Sequence, residues 1–278
     1  MPANEDIMMC SSREFQNEPL LPLFKELTGI TIPRQKTMMV ASRLRKRLAE
    51  LGHPTCTDYI SMVRSNHGER QTFINLLTTN ETSFFRTPRI WKYFRETYLP
   101  AFTSANPSGT LRAWSAAAST GEEACSLAIS CQEHALLSPG FCYQIFASDV
   151  DTEVLARAGK GEFVSRTVDK LHAIYPDLAE RYFQPREDRY LADPNLMRHI
   201  RFAQHNLMQR PRAIEPSNIV FLRNVLIYFQ PAEQTKILHN LASVMAPGTI
   251  LILGESESIV ALEAPFAFVE PQIYRRIS

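Results

Sequence analysis

The sequence predicts a small all-helical domain followed by a doubly wound α/β domain, and three observations favour this fold class. Residues 20–77 carry only helical periodicity. From residue 110 onward, short apolar runs alternate with helical stretches, as in parallel sheets. The chain has 278 residues, 45% of them hydrophobic, which is enough for two cores. We expect a flexible tail over 1–18, a helical domain over 19–90, and an α/β domain over 91–278 with an insertion at 163–204.

Composition excludes several classes of function. A formal net charge of +1 gives no global attraction for nucleic acid, so we expect none as a partner. The five cysteines show no CxxC pair and no Cys/His metal spacing, which favours reduced thiols in the cytoplasm and no bound metal. Residues 1–18 are polar and lack the apolar core of a signal peptide. No stretch approaches the ~18 apolar residues of a membrane helix, so we expect no membrane insertion.

The first domain is expected to contain four helices. Leu20–Thr28 ends at Gly29, and a second helix follows Pro33 and stops at Gly52, because glycine commonly ends helices. The other two helical stretches are Thr57–Arg64 and Glu69–Leu77.

The second helix has a basic face, formed by six of fourteen residues: Arg34, Lys36, Arg43, Arg45, Lys46 and Arg47. One interpretation is a solvated face of an amphipathic helix. The other is a docking surface for an acidic partner, and the concentration of charge in a nearly neutral chain favours it. We therefore predict that Arg43, Arg45, Lys46 and Arg47 form a docking surface.

The segment after the fourth helix, Thr78–Arg86, runs from threonines and Asn80 into paired phenylalanines and an arginine. These polar residues could cap the next helix, but a cap needs only one of them. Arg86 is suited to present a guanidinium to a carboxylate. Trp91–Tyr98 is then expected to be a linking helix and Pro100–Gly109 a linker.

The α/β domain is expected to begin with the strand Thr110–Ser115, a turn of small residues, and a helix over Ala124–Leu136. The turn holds Glu122 and Glu123 and lacks the GxGxxG pattern, so it disfavours a pyrophosphate and favours a ligand with a positive group. The alternative is that both glutamates complement the helix dipole, and for Glu122 this alternative is preferred.

The second strand, Gln144–Asp149, ends in an acid of the kind that binds ribose hydroxyls in nucleotide-binding α/β folds. The helix Thr152–Lys160 follows. The insertion at 163–204 is expected to be a small β-element, with strand-like pieces at Arg189–Leu191 and Ile200–Phe202.

A later stretch, Asn218–Phe229, places Arg223 and Asn224 directly after the apolar run Ile219–Leu222. Either the strand reaches the surface there, or its carboxyl end opens onto a ligand crevice, as in open α/β sheets. From these residues alone the two interpretations are equal. Beyond them we expect a helix over Pro231–Met245, a strand over Thr249–Gly254, and a final edge strand over Ile273–Ile277.

Four separated stretches together resemble the CheR family of chemotaxis receptor glutamate methyltransferases. They occur in the family's order and are Thr78–Arg86, Trp114–Glu123, Ala147–Thr152 and Arg223–Phe229. The resemblance extends over residues 20–277 and includes a similar ending at Gly254–Ser258. It implies a Rossmann-like methyltransferase sheet that binds S-adenosylmethionine (AdoMet), with the insertion as a β-subdomain.

By position, the resemblance also implies roles for site residues. Arg86 would bind the methionine carboxylate, Glu123 the amino group and Asp149 the ribose, while Asn206 and Leu207 would flank the adenine. The remaining cofactor-site residues would be Asn80, Thr82, Arg223 and Asn224, and the catalytic pair would be Arg86 and Tyr228.

The implied reaction transfers a methyl group to receptor glutamates, with S-adenosylhomocysteine as product. A glutamate carboxylate is ionised at pH 7, so no strong base is needed, and Tyr228 would orient the acceptor. The implied partner is the helical bundle of a bacterial chemoreceptor, and we expect the enzyme to be a cytoplasmic monomer. An NAD-dependent oxidoreductase is disfavoured by the missing glycine pattern, and a non-catalytic AdoMet sensor by the intact residue set.

Three departures from the family pattern stand out. Ala124 replaces a common proline and Glu255 a frequent histidine, and neither removes a ligand. Relatives that tether to a receptor's C-terminal pentapeptide carry a glycine-rich hairpin in the insertion. Phe183–Tyr190 contains no glycine, so we expect no pentapeptide tether.

Overall fold

The computed structural model of the chain describes residues 19–52, 55–212 and 214–277. The tail expected over 1–18 lies outside the described residues. The chain divides into two compact units. The first comprises the described residues up to Thr79 together with Tyr228–Glu233, and the second comprises Asn80–Ile227 and the residues from Gln234 onward. This division falls earlier in the chain than the expected boundary at residue 90, so the Asn80–Arg86 stretch groups with the second unit.

The first unit contains four helices: α1 (Leu20–Thr28), α2 (Thr37–Leu51), α3 (Cys56–Ser65) and α4 (His67–Leu77). A short 3-10 turn, Arg34–Lys36, precedes α2. Gly29 and Gly52 take left-handed conformations after α1 and α2, with φ of 78° and 66°, and so end these helices where the sequence predicts. The all-helical prediction for this part of the chain is confirmed.

The core of the first unit contains a buried carboxylate. Glu69 is 6% exposed and accepts hydrogen bonds from Arg47 at 3.0 Å (Nε to Oε1) and 2.6 Å (Nη2 to Oε2). Tyr59 donates its hydroxyl to Oε1 of the same carboxylate at 2.8 Å. The ring of Phe73 packs edge-on against Tyr59. A buried charge requires such partners, so Arg47 serves the helical core.

The second unit opens with helix α5 (Pro88–Tyr93), a π-helical turn (Phe94–Tyr98) and helix α6 (Leu99–Ala105). The prediction of a linker over Pro100–Gly109 is therefore wrong as far as Ala105. Pro100 lies in the first turn of α6, where the N–H that proline lacks would have had no partner in the helix.

The second unit is built on a seven-stranded sheet and a separate three-stranded sheet. The elements in chain order are β1 (Thr110–Ala116), α7 (Glu122–Leu137), β2 (Cys142–Asp149), α8 (Thr152–Gly159), β3 (Glu162–Val164), α9 (Ser165–Ile174), α10 (Pro176–Tyr182), β4 (Phe183–Arg186), β5 (Arg189–Ala192), α11 (Pro194–Met197), β6 (Ile200–Gln204), β7 (Ser217–Leu222), α12 (Pro231–Ala242), β8 (Met245–Leu253), β9 (Phe266–Glu270) and β10 (Ile273–Arg276). A short 3-10 turn, Leu226–Tyr228, follows β7, and the first residues of α12 belong to the first unit.

The large sheet has the strand order β6-β2-β1-β7-β8-β10-β9. The first five strands in this order, from β6 through β2, β1 and β7 to β8, pair in parallel. Strand β10 runs antiparallel to both of its neighbours, β8 and β9. Chain order reverses around β1, as in doubly wound folds, so the α/β prediction is confirmed. The prediction of Ile273–Ile277 as the edge strand is wrong, because Phe266–Glu270 forms the edge. That strand escaped prediction because its residues are exposed or half-buried and show no alternation.

The insertion holds more helix than expected, and it ends earlier. Strands β3, β5 and β4 form an antiparallel sheet of their own, and α9 and α10 accompany it. Ile200–Gln204 instead pairs in parallel with β2 in the large sheet, so its assignment to the insertion was wrong. The β4–β5 hairpin turns without glycine, with Glu187 at a φ of 46°.

Two further boundaries differ from expectation. Helix α12 ends at Ala242, earlier than the predicted Met245, and β8 begins at Met245. Met245 pairs with Ser217 of β7, and a register shift follows before Ile250 pairs with Ile219. The Pro247–Gly248 pair therefore lies within an irregular strand. No helix among the described residues is long and apolar enough to cross a membrane.

Candidate active site

The motif residues of the second unit gather at one edge of the large sheet. Ala116 of β1 pairs with Ser148 of β2, and Ser115 pairs with Phe221 of β7. Because these strands are parallel, the segments that follow them emerge at the same edge. This is the edge where ligands bind in doubly wound folds.

The turn after β1 has an unusual backbone. Ala117, Ser119 and Gly121 all have positive φ, at 87°, 50° and 95°. A Cβ on Gly121 would lie 2.9 Å from Cβ of Ala158, so this position needs glycine for space as well as for conformation. The amide of Ala117 donates to the carbonyl of Ser148 at 2.8 Å, which ties the turn to β2.

Asp149, at the end of β2, holds this turn from the other side. Its Oδ2 accepts from the amide of Ser119 at 2.8 Å, and its Oδ1 accepts from the amide of Asp151 at 3.0 Å. Burial raises the pKa of Asp149 to about 6, and the backbone donors oppose this shift only in part. The structure thus places a buried carboxylate where the sequence predicted ribose binding.

Asn80 is fixed beside Asp149. Its Nδ2 donates to Oδ2 of Asp151 at 2.7 Å, and its carbonyl accepts from the hydroxyl of Ser119 at 3.0 Å. Asp151 in turn caps helix α8 by accepting from the amides of Glu153 and Val154. Sequence reasoning missed the roles of Ser119 and Asp151, although an acid directly before a helix is a usual capping signal.

A buried ion pair joins the first turn of α7 to the residue that follows β7. Nη1 of Arg223 donates to Oε2 of Glu123 at 3.0 Å, and these side chains are 2% and 11% exposed. Oε1 of Glu123 accepts from the hydroxyl of Ser115 at 2.7 Å. Nε of Arg223 is buried without a hydrogen-bond partner among the described residues. Buried donors usually have an acceptor, so this one is suited to a ligand that supplies it.

Arg86 has a fixed backbone and an exposed side chain. Its carbonyl accepts from Nη2 of Arg223 at 2.7 Å and from Nε1 of Trp91 at 2.8 Å. Its guanidinium is exposed, and Nη1 donates to the carbonyl of Glu81 at 3.4 Å. The buried Phe85 precedes it and anchors the segment through contacts with Trp91. A guanidinium has five N–H donors, so Arg86 keeps donors for a carboxylate, and that role stays a prediction.

The backbone at Asn224 is fixed by Glu257, a residue that sequence reasoning missed. Asn224 has a φ of 58°, and its amide donates to Oε2 of Glu257 at 2.8 Å. The same oxygen accepts from the amide of Gly254 at 2.7 Å, and Oε1 accepts from the amide of Leu226 at 2.8 Å. The Gly254–Ser258 stretch belongs to the family resemblance, but its residues alone did not assign this role to Glu257.

Asn206 and Leu207 follow β6, the neighbour of β2. The amide of His205 donates to the carbonyl of Asp149 at 2.9 Å, which brings this segment to the same strand end. Oδ1 of Asn206 accepts from the amide of Met208 at 2.9 Å, and Leu207 is 8% exposed. Thr82 is half-buried. Direct contact of these three residues with a cofactor stays a prediction.

Glu122 is the first residue of α7, the position from which the helix-dipole interpretation starts, and that interpretation stays a prediction. It is 2% exposed, and the hydroxyl of Thr120 donates to its Oε2 at 2.5 Å. Burial raises the pKa of Glu122. Within the described ranges, no group of three or more His, Cys, Asp or Glu side chains could hold a metal ion.

The remaining candidate residues belong to the first unit. The hydroxyl of Tyr228 accepts from Nζ of Lys36 at 3.3 Å, and its carbonyl accepts from the amide of Thr31 at 2.7 Å. On the basic face of α2, Arg43 donates to the carbonyls of Leu76 and Thr78 at 2.8 and 3.0 Å.

Arg47 is bound to Glu69, as described above, whereas Arg45 and Lys46 are exposed. Internal contacts thus hold two of the four predicted docking residues, and the other two face solvent.

Comparison with known proteins shows which family the chain belongs to. The family described as CheR methyltransferase, SAM binding domain, matches residues 80–275, and the CheR methyltransferase all-alpha domain matches residues 18–78. The chemotaxis protein methyltransferase of Escherichia coli K12 is 35% identical over 259 residues, covering 91% of this chain and 87% of that protein. Chemotaxis protein methyltransferase 2 of Pseudomonas aeruginosa is 34% identical over 239 residues, covering 84% and 83%.

These matches cover both units of the chain, and the groups at the sheet edge suit AdoMet, which carries an ammonium, a carboxylate and ribose hydroxyls but no phosphate. The chain is therefore an AdoMet-dependent methyltransferase and belongs to the CheR family.

Proposed function

We propose that this enzyme transfers the methyl group of AdoMet to glutamate side-chain carboxylates of chemoreceptors and forms glutamate 5-O-methyl esters. The observation that carries the proposal is that Asp149 and the Glu123–Arg223 ion pair both follow strands that end at one edge of the sheet. At this edge, Asp149 offers a carboxylate to hydroxyls and Glu123 offers a carboxylate to an ammonium. Arg86 offers a guanidinium to a carboxylate. The relatives' shared description as chemotaxis protein methyltransferases supports a substrate in chemotaxis.

AdoMet, when bound, supplies a methyl group on a positively charged sulfur. Asp149 would accept from the ribose hydroxyls, Glu123 from the ammonium, and Arg86 would donate to the methionine carboxylate. Asn206 and Leu207 would flank the adenine, with Asn80, Thr82, Arg223 and Asn224 completing the site. Glu123 already accepts two hydrogen bonds, and a carboxylate offers about four lone-pair sites, so it has capacity for an ammonium.

The acceptor needs orientation more than activation. A glutamate carboxylate is ionised at pH 7, so the chain does not have to remove a proton. AdoMet bound at this edge would supply its methyl group to an oxygen of that carboxylate, and the carbon–sulfur electron pair would stay on the sulfur of S-adenosylhomocysteine. Because this transfer annihilates charge, a site that excludes water favours it. We assign Tyr228 the role of orienting the acceptor through its hydroxyl.

The proposed partner is the glutamate-rich helical bundle of a receptor in the cytoplasm. Arg45 and Lys46 are the exposed cations of α2 and form the proposed docking surface. Arg43 and Arg47 contribute indirectly, because their internal contacts fix the helix that presents the other two. We propose no pentapeptide tether: the β4–β5 hairpin turns at Glu187 and lacks the glycine-rich sequence that tethering relatives carry.

The direct test supplies the full-length enzyme with methyl-labelled AdoMet and receptor-containing membranes. Label should enter the receptor as base-labile methyl esters, and it should not enter a receptor whose acceptor glutamates are changed to glutamine. Binding of S-adenosylhomocysteine without any ester formation would contradict the proposal and favour an AdoMet sensor. Base-stable methylation would instead indicate a different acceptor group.

A further inference from the structure

The first unit contains a cation whose position helix stability does not explain. Lys36 occupies the N-cap position of α2, makes no side-chain cap hydrogen bond, and has no acidic residue in the following turn. Helix amino termini favour anions and disfavour cations. Among the described residues, no carboxylate forms an ion pair with this ammonium. The placement of Lys36 therefore requires another reason.

The partner of Lys36 is the phenol of Tyr228. Nζ donates to the Tyr228 hydroxyl at 3.3 Å and also lies 5.1 Å from the centre of its ring. The carbonyl of Tyr228 accepts from the amide of Thr31 at 2.7 Å, which fixes the backbone that carries the phenol. Both side chains are half-buried, so each remains accessible to a ligand.

The direction of this hydrogen bond determines what the pair can bind. An ammonium has three donors and no acceptor, so the Tyr228 oxygen must accept from it. The phenolic proton is then available to donate elsewhere, and Lys36 keeps two further N–H groups. The pair therefore presents three N–H or O–H donors next to the positive charge of the ammonium. Such a pair favours a carboxylate over a neutral amide, because the carboxylate has a negative charge and two acceptor oxygens, whereas the amide has one acceptor oxygen and an NH₂ group that only donates.

We propose that Lys36, together with Tyr228, binds the ionised carboxylate of the receptor glutamate and distinguishes glutamate from glutamine. This inference rests on the proposed function and extends it by naming the residue that selects the acceptor's charge state.

Lys36 should act on binding more than on the rate of transfer. The acceptor loses its negative charge as the ester forms, so an ammonium stabilises the bound substrate at least as much as the transition state. Removing it should therefore raise KM and leave kcat nearly unchanged. Tyr228→Phe, which removes the orienting proton, should instead lower kcat.

The experiment compares wild type with Lys36→Met, Lys36→Arg and the control Lys92→Met, which removes an equal charge from a lysine that is 72% exposed. Lys36→Met should raise KM for receptor about tenfold, because one charge-assisted contact is lost. It should change kcat less than about twofold. Lys36→Arg should restore most of the affinity, and Lys92→Met should match wild type.

A binding arm makes the test independent of turnover. Co-sedimentation with receptor membranes in the presence of S-adenosylhomocysteine measures affinity for receptors with glutamate or glutamine at the acceptor positions. Wild type should prefer the glutamate form, and Lys36→Met should lose this preference while binding the glutamine form as wild type does. Equal weakening toward both forms would show a structural role and overturn the proposal, as would a wild type without preference. Absence of ester formation would overturn the proposed function alone.

Discussion

The sheet edge of the second unit and the basic face of α2 are both rich in charged side chains, but their charges are used differently. At the sheet edge, Glu123 and Arg223 are buried and neutralise each other. On α2, Arg47 turns into the helical core while Arg45 remains in solvent. Burial makes polar groups find partners, so the motif at the sheet edge predicts a specific geometry. Whether a charged side chain on a helix surface finds a partner depends on which neighbouring helix it can reach. Hydrophobic periodicity along the sequence does not determine which helix that is.

The largest expected effect comes from breaking the buried pair. Arg223→Met should lower the free energy of unfolding of the second unit by about 3–5 kcal/mol, because Glu123 would be left buried without its counter-charge. Chemical denaturation measures this. Arg45→Met, on the exposed face, should change stability by less than about 0.5 kcal/mol. Similar losses in the two variants would remove the distinction between the regions.

A smaller effect is expected from the cofactor contacts. Asp149→Ala should weaken binding of S-adenosylhomocysteine by about 1.5–3 kcal/mol, the scale of a charge-assisted hydrogen bond. Titration calorimetry on the folded variant measures it, with Arg45→Met as the matched variant of unchanged affinity. Unchanged binding in Asp149→Ala would remove this residue from the site.

The smallest effect is expected on the basic face. Reversing Arg45 and Lys46 to glutamate should raise KM for receptor severalfold, because each exposed ion pair contributes only ~0.2–1 kcal/mol and salt screens it. The salt dependence of the rate should flatten, while affinity for S-adenosylhomocysteine stays the same. Methylation rates at several ionic strengths measure this. If all three quantities stay as in wild type, α2 presents only a solvated face.

Features set by local sequence were predictable, whereas contacts between distant segments were not. Gly29 and Gly52 mark helix ends because their backbone conformation is a local property, and the sequence predicted both. Asp149 follows a buried strand, so its place at the sheet edge was also predictable.

Glu257 was not predictable, because its three backbone partners come from two loops that meet only in the fold. The same holds for the contact between Arg47 of α2 and Glu69 of α4, two residues that are 22 positions apart in sequence. The edge strand Phe266–Glu270 was missed for a different reason: exposure on both faces removes the alternation that marks a strand.

The central claim is that the buried carboxylate of Asp149 at the sheet edge binds the cofactor in its ionised form. Its pKa of about 6 lies above the ordinary value for aspartate, so ionisation is disfavoured in the unliganded fold. The resulting cost to stability is present above about pH 6 and disappears as the pH falls below the ordinary pKa, ~4. Ribose hydroxyls that donate to the ionised form would reverse this preference and couple binding to deprotonation.

The most direct measurement is the affinity for S-adenosylhomocysteine between pH 5 and pH 8, in wild type and in Asp149→Asn. Wild-type affinity should be constant above about pH 7 and fall below pH 6 by up to about tenfold per pH unit, because the protonated carboxyl must first ionise. Asp149→Asn should bind more weakly at pH 8 and show no such fall. A wild-type profile that is flat across this range, or a fall of equal size in Asp149→Asn, would contradict the account.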